Sequence, residues 1–251
     1  MIIISDIENG FVLNFKKRPV ITHSKKRPCV SIGEGEGRFK MSHGSFKIKD
    51  KIRKRKFLRN WKVLENQQDR AVIQFEEILT MTCQVENDRL SISFVNQKRE
   101  SNRFWFYINA DRYEHVYGCG EQYSKLDLKG QKVPIWVEEQ GVGRGHDLIT
   151  FLAELAYGAG GDWYTTYFPQ PTFVSSDNYF CHVDTSAYSL MDFSRKDFHT
   201  IHAWDIPQRI VLDVKTSATE TIESLSGLLG RQPALPDWSH DGIWLGVQGG
   251  K

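Results

Sequence analysis

The sequence has few of the residues that would staple or anchor a fold. Only four of its 251 residues are cysteine (Cys29, Cys83, Cys119, Cys181), and no two stand in a C-x-x-C spacing. That excludes a disulfide framework and the usual zinc templates, and it fits a reducing cytoplasm. No run reaches the ~18 consecutive apolar residues of a membrane helix, so no membrane partner is expected. The opening Met1-Ile-Ile-Ile-Ser-Asp-Ile-Glu has no basic n-region, and its apolar run is too short for a signal peptide. Basic and acidic residues nearly cancel at +2, too little to require a polyanionic partner. Internal repeats and low-complexity tracts are absent. The length suits one large all-β domain or two small ones. A content of 40% hydrophobic and 25% charged residues is that of an ordinary globular protein.

Short strand-like segments fill most of the chain. Residues 11–15 and 20–22 are apolar-rich, and 29–32 is another such run, closed by a glycine-rich turn at 33–37. Residues 45–49 alternate polar and apolar, the period of a half-buried strand. Residues 79–85 and 90–95 read as a hairpin, because Asn87 and Asp88 tolerate the positive φ of a tight turn. Residues 104–108 are bulky enough for a core between two sheets. Segments 179–183, 187–193 and 210–214 continue the pattern, and Pro169 and Pro171 are expected to break the ladder into a turn. One helix is expected after Ser217, where Ser217-Ala-Thr-Glu220 fits a capping box. Ile222, Leu225, Leu228 and Leu229 give it a stripe, and Gly230 ends it. Residues 242–250 are apolar until Gln248, as in a strand buried on both faces.

Three features allow two readings each. Eight basic residues lie between Lys47 and Arg59. They suit either a nucleic-acid patch or a solvated strand edge guarded by lysines, and the lack of a stacking pattern favours the edge. The aromatics of 163–168 could line a sugar site, but at strand spacing they are more often core. His182, His199 and His202 match no ligand template and read as structural or solvent-facing.

The stretch from His115 to Arg144 holds two glycine-flanked polar clusters. A strand at 114–118 feeds the first, and Gly118 and Gly120 let the backbone leave strand geometry, so that Glu121 and Gln122 project from a turn. Gly141 and Gly143 flank Glu139, Gln140 and Arg144. On spacing alone these are ordinary turns. As a site, carboxylates, amides and a guanidinium suit a polyhydroxylated or anionic small ligand.

Five elements occur in order: Tyr117-Gly-Cys-Gly-Glu121, Glu139-Gln-Gly-Val-Gly-Arg144, Phe168-Pro-Gln-Pro-Thr-Phe-Val174, Leu235-Pro-Asp-Trp238 and Gly246-Val-Gln-Gly-Gly250. The set resembles the N-terminal part of glycoside hydrolase family 31, within it the sulfoquinovosidase branch of α-glucosidases. That resemblance implies an all-β galactose-mutarotase-like β-sandwich over residues 1–232. The first strand of a truncated (β/α)8 TIM barrel would follow in 236–251. It implies a retaining α-glycoside hydrolase whose two catalytic aspartates lie on later barrel strands, so no catalytic residue is assigned to this chain. Gln248 matches the branch's sulfonate-pocket glutamine, and 139–144 resembles the sandwich loop over the barrel mouth. Glu121 and Gln122 line or brace it. The implied partner is a small α-sulfoquinovoside or α-glucoside, with no cofactor, metal or nucleic acid, and the oligomeric state is open.

Two other classes stand beside this reading. A stand-alone carbohydrate-binding sandwich would leave the apolar 243–247 segment without a purpose. A mutarotase-like epimerase would need a histidine and a carboxylate in one cleft, for which His115 with Glu121 is the only nearby pair.

Overall fold

The computed structural model describes residues 1–42, 44–97, 100–145, 147–242 and 246. The chain opens with β1 (Ile2–Ile7), β2 (Gly10–Phe15) and β3 (Arg18–Ser24), then the long hairpin β4 (Val30–Ser42) and β5 (Ser45–Phe57). A meander follows, made of β6 (Trp61–Asn66), β7 (Arg70–Phe75), β8 (Leu79–Glu86) and β9 (Arg89–Asn96). Next come β10 (Arg103–Asn109), β11 (Val116–Gly120), β12 (Lys132–Ile135) and helix α1 (Leu148–Tyr157). The last strands are β13 (Pro169–Ser175), β14 (Tyr179–Asp184), β15 (Ser189–Asp192), β16 (Phe198–Ala203) and β17 (Arg209–Val214), followed by helix α2 (Ala218–Leu229).

The strands form three antiparallel sheets. One holds β1-β2-β3, a second β12-β15-β16-β10-β4-β5, and the third β11-β13-β14-β17-β9-β8-β7-β6. The second and third close as a sandwich around the apolar side chains that their strands turn inward. Phe104, Phe106 and Ile108 of β10 are buried, as are Leu90 and Ile92 of β9, Phe173 of β13 and Ile210 and Leu212 of β17. Phe94 stands edge-on to Phe104 and Phe106, with ring centroids 4.8 and 5.3 Å away. The first sheet covers one end of the core, where Phe11, His23, Trp61 and Phe75 cluster. The β-sandwich expected from the family resemblance is therefore what the chain forms. Among the described residues no helix is long and apolar enough to cross a membrane.

The β8–β9 hairpin turns on Asn87 and Asp88, at φ 49° and 64°, as the sequence predicts. Lys16-Lys17 and Glu76-Glu77 adopt the same left-handed geometry without any turn residue to announce it. The basic run, all but Arg59, lies on β5, an edge strand. Lys54 pairs with Glu34 at 3.3 Å, Arg53 with Glu36 at 2.6 Å and Lys56 with Glu76 at 2.8 Å, while Arg55 lies 4.1 Å over the Trp105 ring. It is a charged sheet edge.

Three expectations need correction. Residues 33–37 do not form a turn: β4 continues through them, with a register shift against β5 between Glu34 and Gly35. Their glycines leave one strand face bare. A Cβ at Gly37 would lie 2.1 Å from the Trp204 ring, and one at Gly35 would lie 2.9 Å from Arg103 Nε. Pro169 and Pro171 open β13 rather than breaking it. Pairing to β14 starts only at Thr172, so on that side the prolines face no partner strand, while Pro169 pairs with Gly120 of β11. Finally, α1 interrupts a region expected to be all strand. Leu148-Ile-Thr-Phe-Leu-Ala-Glu-Leu-Ala-Tyr carries almost no polar face, so no helical stripe marks it. Asp147 caps it by accepting from Thr150 N, and Gly158 closes it at φ 64°.

The α2 helix forms where expected. Ser217 Oγ accepts from Glu220 N at 3.3 Å. Glu220 reaches one residue further back than a standard box, accepting from Thr216 N at 3.1 Å and Thr216 Oγ1 at 2.7 Å. Ile222 and Leu229 of its apolar stripe are exposed. Of the apolar segment at 243–247 only Gly246 is described, and Gln248 lies outside the described residues.

Candidate functional site

The site grows from the end of β11. A bulge separates Gly118 from Gly120, with φ of 110°, 60° and 84° at Gly118, Cys119 and Gly120. Gly120 is required there: a Cβ would lie 2.0 Å from Phe168 O and 2.6 Å from Gln170 N, both backbone atoms that cannot yield. Glu121 N then donates to Phe168 O at 2.9 Å, which brings residues 121–123 beside 165–168.

The two clusters read from the sequence meet through two tyrosines. Tyr123 OH donates to Glu121 Oε2 at 2.6 Å, and the Arg144 guanidinium lies 4.2 Å over the Tyr123 ring. Arg144 Nη1 donates to Thr165 O at 2.7 Å. Tyr167 OH donates to Glu139 Oε1. The hydroxyl of each tyrosine is held above its ordinary pKa, chiefly by the carboxylate it donates to. Tyr167 is also close enough to Tyr123 to act on it electrostatically. Glu121, Tyr123, Glu139, Arg144 and Tyr167 therefore form one surface, with both tyrosines about half exposed.

Gln122 differs from the others. Its Nε2 donates to Cys119 O at 3.1 Å, and its buried Oε1 has no partner among the described residues. It turns inward and braces the end of β11. Tyr123 was not singled out from the sequence, and Tyr167 was weighed as core. Glu138 was missed as well. It is buried, accepting from Phe46 N at 3.2 Å and from Thr165 Oγ1 at 3.4 Å, and burial pushes its carboxyl up. Alternation offers the signal: if Glu139 faces out of an extended segment, Glu138 faces in.

The glycines of the 139–144 loop have a packing purpose of their own. Val142 N donates to Ala159 O at 2.8 Å and Gly143 N to Gly160 O at 2.9 Å. A Cβ at Gly141 would lie 2.5 Å from Gly160 O, so the two glycine-rich backbones touch directly. The loop is thus a fixed shelf carrying Glu139, Gln140 and Arg144.

The histidine–carboxylate pairs fall elsewhere. His115 Nδ1 faces Asp127 Oδ2 at 2.7 Å, not Glu121. Glu114 is fully buried, with Ser175 Oγ at 2.6 Å, Tyr179 OH at 3.0 Å, Lys129 Nζ at 3.1 Å and an Arg18 nitrogen at 3.8 Å. His199 Nε2 lies 2.7 Å from Glu114 Oε1, too oblique for a well-formed hydrogen bond. Burial alone would raise the Glu114 carboxyl, but His199, Ser175 and Lys129 outweigh it and hold it at about 2. This cluster ties the sheets together and offers no surface to a ligand.

Residues 8–192 match the glycosyl hydrolase 31 N-terminal galactose mutarotase-like domain. The chain belongs to that family. This family 31 sandwich is 40% identical over 248 residues to a sulfoquinovosidase of Escherichia coli strain K12, covering 96% of this chain and 36% of that protein. It is 36% identical over 244 residues to a sulfoquinovosidase of Agrobacterium fabrum, covering 97% of this chain and 36% of that protein. It also superposes on a family 31 sulfoquinovosidase from E. rectale in complex with the aza-sugar inhibitor IFGSQ. There the TM-score is 0.91 at 37% identity, over 99% of this chain and 37% of that one. The chain thus spans little more than a third of the proteins it matches.

Proposed function

We propose that the chain supplies the sandwich and one wall of the substrate pocket of a retaining α-glycoside hydrolase that acts on α-sulfoquinovosides. The surface uniting Glu121, Glu139 and Arg144 through Tyr123 and Tyr167 carries this reading. It offers what a sugar with an anionic head needs. Carboxylates accept from ring hydroxyls, and tyrosine rings pack on C–H faces. Arg144 gives Thr165 O one of its five donors, leaving others for an oxyanion. Gln140 stands on the same shelf. Gln248 joins the pocket by its match to the branch's sulfonate-pocket glutamine. A sulfonate stays anionic at any physiological pH, so its pocket must be built of donors.

The chemistry of such an enzyme needs two carboxyl groups ~5–5.5 Å apart, one attacking the anomeric carbon and one protonating the leaving oxygen. No residue of 1–251 matches either. The sandwich therefore binds and orients, and residues 1–251 alone should be inert. The full-length gene product should hydrolyse p-nitrophenyl α-sulfoquinovoside with kcat/KM roughly 100-fold above that for the α-glucoside, because donors left unpaired penalise the neutral sugar. Equal or reversed rates would make it a plain α-glucosidase. Failure to cleave either, with sugar binding retained, would make the sandwich a binding module.

A further inference from the structure

The β4–β5 hairpin is longer than the sheet uses. Each strand has 13 residues, yet β10 pairs with β4 only from Val30 to Gly33. Beyond that, a two-stranded ribbon continues to its tip at Ser42 and Ser45. Two-stranded ribbons are marginal by themselves, so the contacts at the tip matter. They converge on the candidate loop and its support. Gly44 O accepts from Glu139 N at 3.0 Å, and Phe46 N donates to Glu138 Oε1 at 3.2 Å. Phe46 stands edge-on to Trp136 at 5.5 Å. On the other side Ser42 Oγ donates to Tyr157 O at 3.1 Å, and Lys47 pairs with Glu154 of α1. Gly44 sits at φ 78°, and a Cβ there would lie 2.6 Å from Glu139 Cβ, so the tip and the loop are in direct backbone contact.

We propose that the β4–β5 tip is the positioning element for Glu139, and that Gly44 is a positioning residue for substrate affinity although it touches no substrate. This rests on the reading of the 139–144 loop as part of the pocket. The tip fixes the backbone at Glu139 and the carboxylate of Glu138, the 159–160 backbone fixes the middle of the loop, and Thr165 O fixes Arg144. Removing the first clamp frees the carboxylate-bearing end and leaves the others in place.

The test uses the full-length gene product and two readouts, one of which does not involve substrate. Trypsin cutting at the Arg144–Gly145 bond reports loosening of the loop, and is followed by mass spectrometry against cuts elsewhere on the sandwich. Gly44→Ala should accelerate that cut on the order of tenfold, in line with a larger open population, and leave the others unchanged. Glu139→Gly in the Gly44→Ala background removes the overlapping Cβ but not the strain of an alanine at φ 78°, so it should bring the cut part of the way back toward the parent rate. KM of Gly44→Ala should rise on the order of tenfold with kcat nearly unchanged, the signature of lost uniform binding. If Gly44→Ala does not accumulate as folded protein, Ser42→Ala removes the bond to Tyr157 O and is read the same way, with a smaller acceleration. No acceleration, or equal acceleration at every site, overturns the positioning role. Acceleration with rescue but unchanged KM overturns the pocket reading of the loop and with it the affinity role, leaving the clamp as structural.

Discussion

Glu114→Ala is expected to destabilise the sandwich by about 3–5 kcal/mol, the cost of breaking a buried ion pair from one side. The carboxylate is fully buried where the three sheets meet. It accepts from Ser175 on β13 and Tyr179 on β14, and it faces Lys129 from the β11–β12 connection, Arg18 on β3 and His199 on β16. Removing it leaves two cations and a buried imidazole facing one another with nothing between them. Tyr179, with the Arg18 guanidinium 4.0 Å over its ring, loses its acceptor as well. Glu114→Gln keeps an oxygen for Ser175 and Tyr179 but loses the charge and turns an NH2 toward Lys129 and His199, so it should fall between parent and alanine. Urea unfolding at neutral pH measures both. A loss below about 1 kcal/mol for alanine would mean that water or rearranged neighbours replace the carboxylate, and that the cluster does not join the sheets.

Acid should unfold the protein early, through histidines rather than carboxylates. Burial lowers His23 and His202 from 6.5 to about 4. His23 lies stacked on Phe11 with Nε2 against Arg59 O at 3.2 Å and Nδ1 3.4 Å from Cys29 Sγ. His202 stacks on Trp105 at 4.7 Å, and Asp50, which faces it at 3.7 Å, is already held by Arg103. The sign follows from which state takes the proton first. The unfolded chain binds it near the ordinary 6.5 and the folded chain only near about 4, so stability is fully present above that window and falls as pH drops through it. Each histidine should lose about 2 kcal/mol by about pH 5 and about 3 kcal/mol by about pH 4. Together they amount to a large part of a typical domain's stability. Glu114, held at about 2 by His199, Ser175 and Lys129, and Asp88, held at about 2 by Lys16 and Lys215, add a second loss only below the ordinary carboxylate range. Urea midpoints taken down the pH scale should decline through the histidine window, and His202→Gln should flatten part of that slope. A midpoint constant down to about pH 4.5 would contradict the assignment.

How much of this was legible depends on whether the cause was local. Strand alternation and the Asn87-Asp88 turn are local, and the hairpin around them was readable. The Lys16-Lys17 and Glu76-Glu77 turns take the same shape under the constraint of strands already paired, with nothing in the residues to mark them. Gly33, Gly35 and Gly37 looked like a turn because the rings and guanidinium that need their bare face lie far off, at Trp204, Trp105 and Arg103. Helix α1 escaped because it is apolar nearly all round. At the site, Glu121, Glu139, Gln140 and Arg144 stood out through their flanking glycines. The tyrosines that unite them did not, since Tyr123 reaches Arg144 and Tyr167 reaches Glu139 only after β11 and β13 have paired. Glu138 beside Glu139 is the same residue type in the opposite orientation, and only the fold distinguishes the buried clamp from the exposed group.

The central claim is that this sandwich presents Arg144 to the substrate. The most direct measurement is steady-state hydrolysis of p-nitrophenyl α-sulfoquinovoside by the full-length gene product carrying Arg144→Ala, with Tm recorded alongside. Loss of a charge-assisted hydrogen bond should lower kcat/KM roughly 100-fold while Tm stays close to that of the parent. A kcat/KM within about twofold of the parent, in a protein that melts normally, would show that Arg144 only staples the loop to Thr165 and that the substrate is held elsewhere.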